Sequence, residues 1–238
     1  MLPIAYSELI QVFRNRSVLM NVVVPATAAA FFIYSRDTFV GDGGLGYVGA
    51  LLVFTVGAFT LYATIVTTLA ARRQTLFLKR LRSTAASDPA ILAGLVLPVG
   101  VTSVLQVAVM LGVFAAVSGR PADVALLVVA VVAAFLMLLA LALATAGVTS
   151  SPEQAQVTTL PLSLGTIAVA SWIGIAGTES LPWVKRLLPG GSATELVIGA
   201  WNGGLPLTDA LLLLLPTLGW VVVAVALAAR YFRWEPRR

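Results

Sequence analysis

The sequence DVALLVVAVVAAFLMLLALALATAGV, residues 123–148, decides the fold, because it contains no charged residue after its first position. A helix that crosses a lipid bilayer needs roughly 20 consecutive, mostly apolar residues. The apolar residues here are continuous, whereas a strand of a membrane barrel alternates and needs only about 9–11 residues. The stretch therefore predicts a membrane-spanning helix.

The composition of the whole chain indicates the same class of protein. Of its 238 residues 59% are hydrophobic and 11% are charged, and the mean hydropathy is +0.98. An ordinary soluble domain is about 45–50% apolar and about 25% charged. Soluble enzymes and disordered chains are therefore excluded, and an integral membrane protein is predicted. The chain has no Cys and no His, which excludes disulfides, thiolate or imidazole metal ligands and His-based catalysis or proton relays.

Six stretches of the chain are long and apolar enough to span a bilayer. We predict an all-α membrane protein whose spans cover about residues 18–34, 47–71, 89–117, 123–148, 156–177 and 208–229. Helix-start signals support these limits. Before the fifth span, Ser151-Pro152-Glu153-Gln154 combines a capping serine, an early proline and a capping-box glutamine.

The positions of Lys and Arg predict the orientation of these spans. If the N-terminus is cytoplasmic, 11 of the 15 basic residues lie on the cytoplasmic side. By the positive-inside rule both termini are then cytoplasmic, and we expect a multi-pass protein of the plasma membrane. The net charge of +5 thus reports topology and gives no reason to expect a nucleic-acid partner. No charged residue falls deep within a predicted span, where Gln106 is the most polar residue.

Residues 1–17 predict an amphipathic helix in the cytoplasmic membrane interface, before the six-span domain of residues 18–238. The alternative is a frayed terminus. The apolar side chains of the segment recur at spacings of three and four, and polar side chains fill the other side. The two sets are Leu2, Tyr6, Leu9 and Phe13 against Ser7, Glu8, Gln11, Arg14 and Asn15.

The cytoplasmic segment 72–88 is the most distinctive connection. It begins RRQTLFLKRLRST, with five basic residues among four large apolar ones. A short helix here places Phe77 and Leu81 on one face, one turn apart. Two interpretations remain open: a helix that docks on a partner, or basic residues that only enforce the orientation.

The connection 178–207 predicts a short helical hairpin on the extracytoplasmic side. Residues 180–188 are typical of one short helix, and Ser192-Ala193-Thr194-Glu195 is typical of a capping box that opens a second helix ending near Trp201. Neither helix is long enough to span, which favours a re-entrant or interfacial hairpin. The alternative is a surface loop anchored by Trp183 and Trp201.

Hydroxyl side chains give the second and fifth predicted spans a polar side. Such hydroxyls either pack helices closely or line a cavity, and packing is the more frequent explanation. The residues are Thr55, Thr60, Thr64, Thr67 and Thr68 in the second span and Thr158, Thr159, Ser163 and Thr166 in the fifth.

The order of these elements resembles the type-2 ATP-binding-cassette (ABC) permeases, the drug- and lipid-exporting class, over nearly the whole chain. The most specific piece is Leu78-Lys79-Arg80-Leu81-Arg82-Ser83-Thr84. It is similar to the family's k-R-L-R-s-T-P stretch, with Ala85 in place of the usual proline. Supporting pieces are Ser151-Pro152-Glu153-Gln154-Ala155-Gln156 and, in the hairpin, Leu181-Pro182-Trp183 with Leu188-Pro189.

The resemblance implies the transmembrane subunit of an exporter. In that family the connection after the second span is a coupling helix that sits in a groove of the ATPase, and the turn at residues 151–154 is a secondary contact. The implied coupling residues are Arg72, Arg73, Phe77, Lys79, Arg80, Leu81, Arg82 and Glu153.

The resemblance also implies two permease chains, identical or homologous, whose second and fifth spans line the contact between them and a path for a hydrophobic or amphiphilic cargo. The implied pathway residues are Thr55, Phe59, Tyr62, Gln106, Thr159, Ser163 and Thr166. The other implied partners are ABC ATPase subunits and membrane lipid. Since the sequence contains no GxxxxGK[ST] phosphate loop, we expect ATP and Mg²⁺ to bind the partner ATPase, and neither a cofactor nor enzymatic activity in this chain.

Three other classes of protein are alternatives. A self-sufficient channel or carrier usually keeps an ionisable group near the bilayer midplane, and the predicted spans contain none. A membrane enzyme usually needs His, paired carboxylates at depth or a Ser–Lys pair. A sensor or assembly protein without transport needs none of these, and only an ABC permease requires a soluble ATPase.

Overall fold

The computed structural model describes residues 16–35, 38, 44–83 and 87–232, which form helices and no β-strand. The helices are α1 (Arg16–Tyr34), α2 (Gly44–Gln74), α3 (Phe77–Arg82), α4 (Asp88–Ser118), α5 (Val124–Val148), α6 (Pro152–Ala176), α7 (Pro182–Leu187), α8 (Gly191–Asn202) and α9 (Leu207–Tyr231). The predicted all-α class is confirmed.

Among the described residues, five helices are long and apolar enough to cross a membrane, namely α2, α4, α5, α6 and α9. They correspond to the second through sixth predicted spans and agree with the predicted limits to within a few residues. In α1 the apolar part, Pro25–Tyr34, is shorter, so the count of six spans stays a prediction. The predicted amphipathic helix at residues 1–17 lies almost entirely outside the described residues.

The central helix of the bundle is α2, which contacts α1, α4, α5, α6 and α8. Its apolar window is 94% buried, whereas the windows of α4, α6 and α9 are 33% buried or less. Small residues allow close approach: a Cβ on Gly174 of α6 would lie 2.0 Å from the Tyr47 ring of α2. The expectation that the second span lines the contact with another permease is therefore corrected, because α2 is covered by this chain itself.

The middle of α2, Gly57–Ala63, is a π-helix, which the sequence pattern did not indicate. Thr64 Oγ1 donates to the Phe59 carbonyl, five residues earlier, at 3.2 Å. A Cβ on Gly57 would lie 2.5 Å from Leu138 Cδ1 of α5, so a larger residue here would require the Leu138 side chain to shift. The wider turn lies where both α5 and α6 contact α2, and such segments are frequent at functional sites.

The C-terminal ends of α2, α5 and α9 meet at one end of the bundle, which we call the Arg73 end. Arg73 Nη1 donates to the Thr149 carbonyl at 3.0 Å, and the guanidinium lies 5.3 Å from the centroid of the Phe232 ring. Thr149 follows α5, and Phe232 follows α9. The segments that follow α2, α5 and α9 are all predicted to be cytoplasmic. They therefore start at the same end of the bundle.

The opposite end, which we call the hairpin end, contains α7 and α8 with the starts of α2 and α5. The Asp123 amide donates to the Ala200 carbonyl, and the Gly46 amide donates to Asn202 Oδ1, both at 2.9 Å. The two short helices predicted for residues 178–207 are thus present. Their side of the membrane stays a prediction.

The predicted helix caps are correct in one case and wrong in another. Ser151 Oγ accepts from the Gln154 amide at 3.2 Å, as predicted for the start of α6. The predicted capping box at Ser192 is wrong, because α8 already begins at Gly191 after the left-handed cap residue Gly190. Inside the helix, Ser192 Oγ instead shares a hydrogen bond of 2.9 Å with Thr217 of α9.

Candidate functional site

The segment that contains the predicted coupling residues leaves α2 through a left-handed residue. Leu76 has a φ of 57°, a conformation that costs an L-residue roughly 1–2 kcal/mol, and it directs the chain into α3. Leu78 is fully buried, and Phe77 and Leu81 are half-buried against the hydrophobic core. The face predicted for docking is thus turned partly towards the protein itself. Leu76, which is 46% exposed, is the large apolar side chain that remains open.

Two basic residues of this segment lie at its surface with internal contacts. The guanidinium of half-buried Arg72 lies 5.0 Å from the centroid of the Phe77 ring. Exposed Arg80 donates from Nη2 to the Thr75 carbonyl at 3.3 Å, which holds α3 against the turn before it. The side chains of Lys79 and Arg82 lie outside the described part of the structure.

Arg73 does not reach the surface. Its side chain is 0% exposed and joins the end of α2 to Thr149 and Phe232. Removing the partner of a buried charge is strongly destabilising. The contacts of Arg73 with Thr149 and Phe232 therefore stabilise one arrangement of the three helix ends. Sequence reasoning missed this role, because Arg72 and Arg73 form one basic doublet and nothing in the doublet distinguishes them. If Arg73 takes part in coupling, it acts through its contacts with Thr149 and Phe232.

Glu153 lies exposed in the first turn of α6. The preceding connection contains Thr149, the acceptor for Arg73. The two segments that the resemblance implies as primary and secondary ATPase contacts therefore lie at the same end of the bundle. A carboxylate in the first turn of a helix also interacts favourably with the helix dipole, so Glu153 has a structural explanation as well.

Most residues predicted for the substrate pathway are buried in helix contacts. Thr60 Oγ1 donates to Gln106 Oε1 at 2.8 Å and joins α2 to α4. Tyr62 OH and Thr145 Oγ1 are 3.0 Å apart and join α2 to α5. In this conformation packing explains these polar groups. The pathway residues that are at most 5% exposed are Thr55, Tyr62, Thr159, Ser163 and Thr166.

Two of the buried pathway residues, and the two that are less buried, have further contacts or partial exposure. Ser163 Oγ donates to the Ala58 carbonyl of α2 at 3.5 Å. Thr166 lines a groove of about 330 Å³ together with Leu188, and Phe59 and Gln106 are half-buried. A cargo path along this set of residues requires that the helices separate during transport.

Sequence reasoning missed a cavity of about 660 Å³ at the hairpin end, between the end of α6, the helices α7 and α8, and α9. Its charged lining residues are Arg186, Glu195 and Asp209. Arg186 Nε donates to Glu195 Oε2 at 2.7 Å, whereas the capping-box interpretation assigned this carboxylate to the start of a helix. Among the described residues, no group of three His, Cys, Asp or Glu side chains is placed to hold a metal ion.

An enclosed central helix surrounded by membrane-length helices defines the class of this molecule, a multi-pass α-helical membrane protein. The kind of membrane protein follows from comparison with protein families. Residues 6–230 match the family described as ABC-2 family transporter protein. The chain belongs to this family, and it is a membrane subunit of an ABC transporter. No curated protein and no solved structure matches the chain.

Proposed function

We propose that this chain is the permease subunit of an exporter that moves a hydrophobic or amphiphilic cargo out of the cell with energy from a separate ATPase subunit. The observation that carries the proposal is membership of the ABC-2 family over residues 6–230. The Arg73–Thr149 bond supports it, since it joins the two segments that the proposal assigns to the ATPase contact.

The helix α3 is suited to receive a push from a soluble partner. Leu78 anchors α3 in the core, while Leu76 and Arg80 remain accessible. A displacement of α3 moves the end of α2, and Arg73 passes that movement to the start of α6 and the end of α9. Small shifts at such a contact are amplified into rigid-body rocking of packed helices. We assign the main ATPase contact to Leu76 and Arg80.

A second permease chain, identical or homologous, completes the transporter in this proposal. α6 exposes Val157, Leu160 and Leu164 at spacings of three and four, which form one helix face. We assign the contact between the two chains to this face, because α2 is enclosed. A path without ionised groups at depth favours an apolar or amphiphilic cargo over small ions. The cargo leaves past the hairpin end.

Co-purification and reconstitution test this function. The tagged full-length permease is expected to retain a soluble ATPase with a phosphate loop in fixed stoichiometry. In proteoliposomes, compounds that are cargo should stimulate ATP hydrolysis by this complex. Transport of a hydrophobic dye by the permease alone, at the same rate with and without ATP, would contradict the proposal and favour a self-sufficient carrier.

A further inference from the structure

We infer that the cavity at the hairpin end binds an amphiphilic organic amine, whose ammonium N–H donates to the Glu195 carboxylate while its apolar body fills the cavity. The inference stands on the cavity itself. It requires neither transport nor an ATPase partner.

The Glu195 carboxylate has one satisfied and one unsatisfied oxygen. The residue is 8% exposed, and its Oε2 accepts from Arg186 Nε at 2.7 Å. Its Oε1 is buried and has no hydrogen-bond partner among the described residues. A buried acceptor without a donor loses its hydration without compensation. A rotation of the Glu195 side chain would turn this oxygen towards the adjoining cavity, where a ligand N–H removes this cost.

The charges of the lining favour a cation. Arg186 is paired with Glu195, and Asp209 adds a second carboxylate from the first turn of α9. The three charged lining residues therefore carry one net negative charge. An anion would meet two carboxylates against a guanidinium that is already engaged, and a neutral ligand would leave the excess charge unbalanced.

The rest of the lining favours a ligand with a substantial apolar body. Leu212, Leu213 and Ile173 are among the apolar lining residues, and the exposed indole of Trp183 lies at the rim. The volume of about 660 Å³ lies within the roughly 300–1,000 Å³ of sites that hold drug-sized molecules. Such sites typically combine an apolar lining with a few fixed polar groups, as this cavity does.

Equilibrium binding to the purified full-length permease in lipid nanodiscs tests the inference. The probe is tritiated N-hexyl-1-naphthylmethylamine, and empty nanodiscs measure its partition into lipid. The quaternary N,N-dimethyl derivative keeps the charge and the apolar body but has no N–H. We expect saturable binding of the amine and at least about tenfold weaker binding of the quaternary derivative, since a hydrogen bond to a charged group is among the stronger ones.

Two variants locate the site. Glu195→Gln should weaken binding of the amine at least about tenfold, whereas Glu179→Gln removes the same charge from an exposed position outside the cavity and should change it less than about twofold. Binding that is not saturable, equal binding of the quaternary derivative, or equal effects of the two variants would overturn the inference.

If Glu195→Gln lowers the melting temperature, a variant that fills the cavity still tests the inference. Leu212→Trp adds volume at an exposed lining position and leaves the Arg186–Glu195 pair intact. Loss of amine binding in this folded variant supports the cavity as the site, and unchanged binding overturns it.

Discussion

Leu76 and Leu181 have the same left-handed backbone conformation at opposite ends of the bundle, with φ angles of 57° and 56°. Each directly precedes a six-residue helix, Leu76 before α3 and Leu181 before α7. Both side chains are exposed, by 46% and 60%. The two leucines therefore share local geometry and solvent exposure but differ in the surface to which they belong.

The first prediction uses this pair to test the ATPase contact. Leu76→Asn should weaken binding of the ATPase about fivefold, equivalent to about 1 kcal/mol, because a leucine buried at an interface contributes up to about 1.5–3 kcal/mol. Asparagine tolerates the left-handed conformation, so the variant should fold normally. The measurement is the ATPase concentration that gives half-maximal ATP hydrolysis with reconstituted permease.

Leu181→Asn is the matched control, because it makes the same change in the same backbone conformation at the hairpin end. It should leave the half-maximal ATPase concentration unchanged. Equal effects of the two substitutions, or no effect of Leu76→Asn combined with Arg80→Glu, would show that α3 is not the contact.

The second prediction concerns the buried guanidinium at the Arg73 end. Arg73→Met should destabilise the protein by about 1–3 kcal/mol, because the Thr149 carbonyl loses its charged donor. Arg72→Met should cost about 0.5–1 kcal/mol or less, since the half-buried Arg72 side chain contributes a cation–π contact with Phe77. Melting temperatures in detergent compare the two variants. Equal decreases in the melting temperatures of the two variants would show that Arg73 contributes no more to stability than Arg72.

The sequence was sufficient for the membrane-length helices, because apolar length is a local property that the bilayer selects directly. The run at residues 124–148 becomes α5 with the predicted end, and the residues around Ser151 start α6 through the predicted cap. Neither result depends on which helices become neighbours.

The sequence was insufficient where the outcome depends on the rotation of one helix against another. The hydroxyl side of the second span indicates that polar groups share a face, but not that Thr60 meets Gln106 on α4. Arg72 and Arg73 are equivalent in the sequence, and only the packing of α2 buries one of them. The sequence pattern assigned Glu195 to a helix cap. In the structure Glu195 pairs instead with Arg186 of the preceding short helix.

The third prediction compares two glycines of α6. A Cβ on Gly174 would lie 2.0 Å from the Tyr47 ring, whereas a Cβ on Gly165 would meet no atom within 4 Å. Gly174→Ala should therefore destabilise the chain by about 1–3 kcal/mol through overpacking. Gly165→Ala should stabilise it by up to about 0.5–1 kcal/mol, because alanine is the better helix residue.

Melting temperatures of the two glycine variants, measured in the same detergent, check this order. A stabilised Gly174→Ala variant would mean that α2 and α6 are less close than the structure indicates. A strongly destabilised Gly165→Ala variant would point to an additional contact at that position, which lies near the face that we assign to the second permease chain.

The fourth prediction separates helix packing from cargo contact at Thr60 and Gln106. In a double-mutant cycle with Thr60→Val and Gln106→Leu, the two changes should be non-additive by about 0.6 kcal/mol, and at most about 1.7 kcal/mol, as is typical of hydrogen bonds between membrane helices. The free energy of unfolding in mixed detergent micelles measures this coupling.

Thr60→Val with Thr217→Val is the control pair. Thr217 bonds to Ser192 at the hairpin end, so these two changes should be additive. Additive energies for Thr60 and Gln106, together with an altered cargo concentration for half-maximal ATP hydrolysis, would contradict the packing role and favour contact of both residues with the cargo.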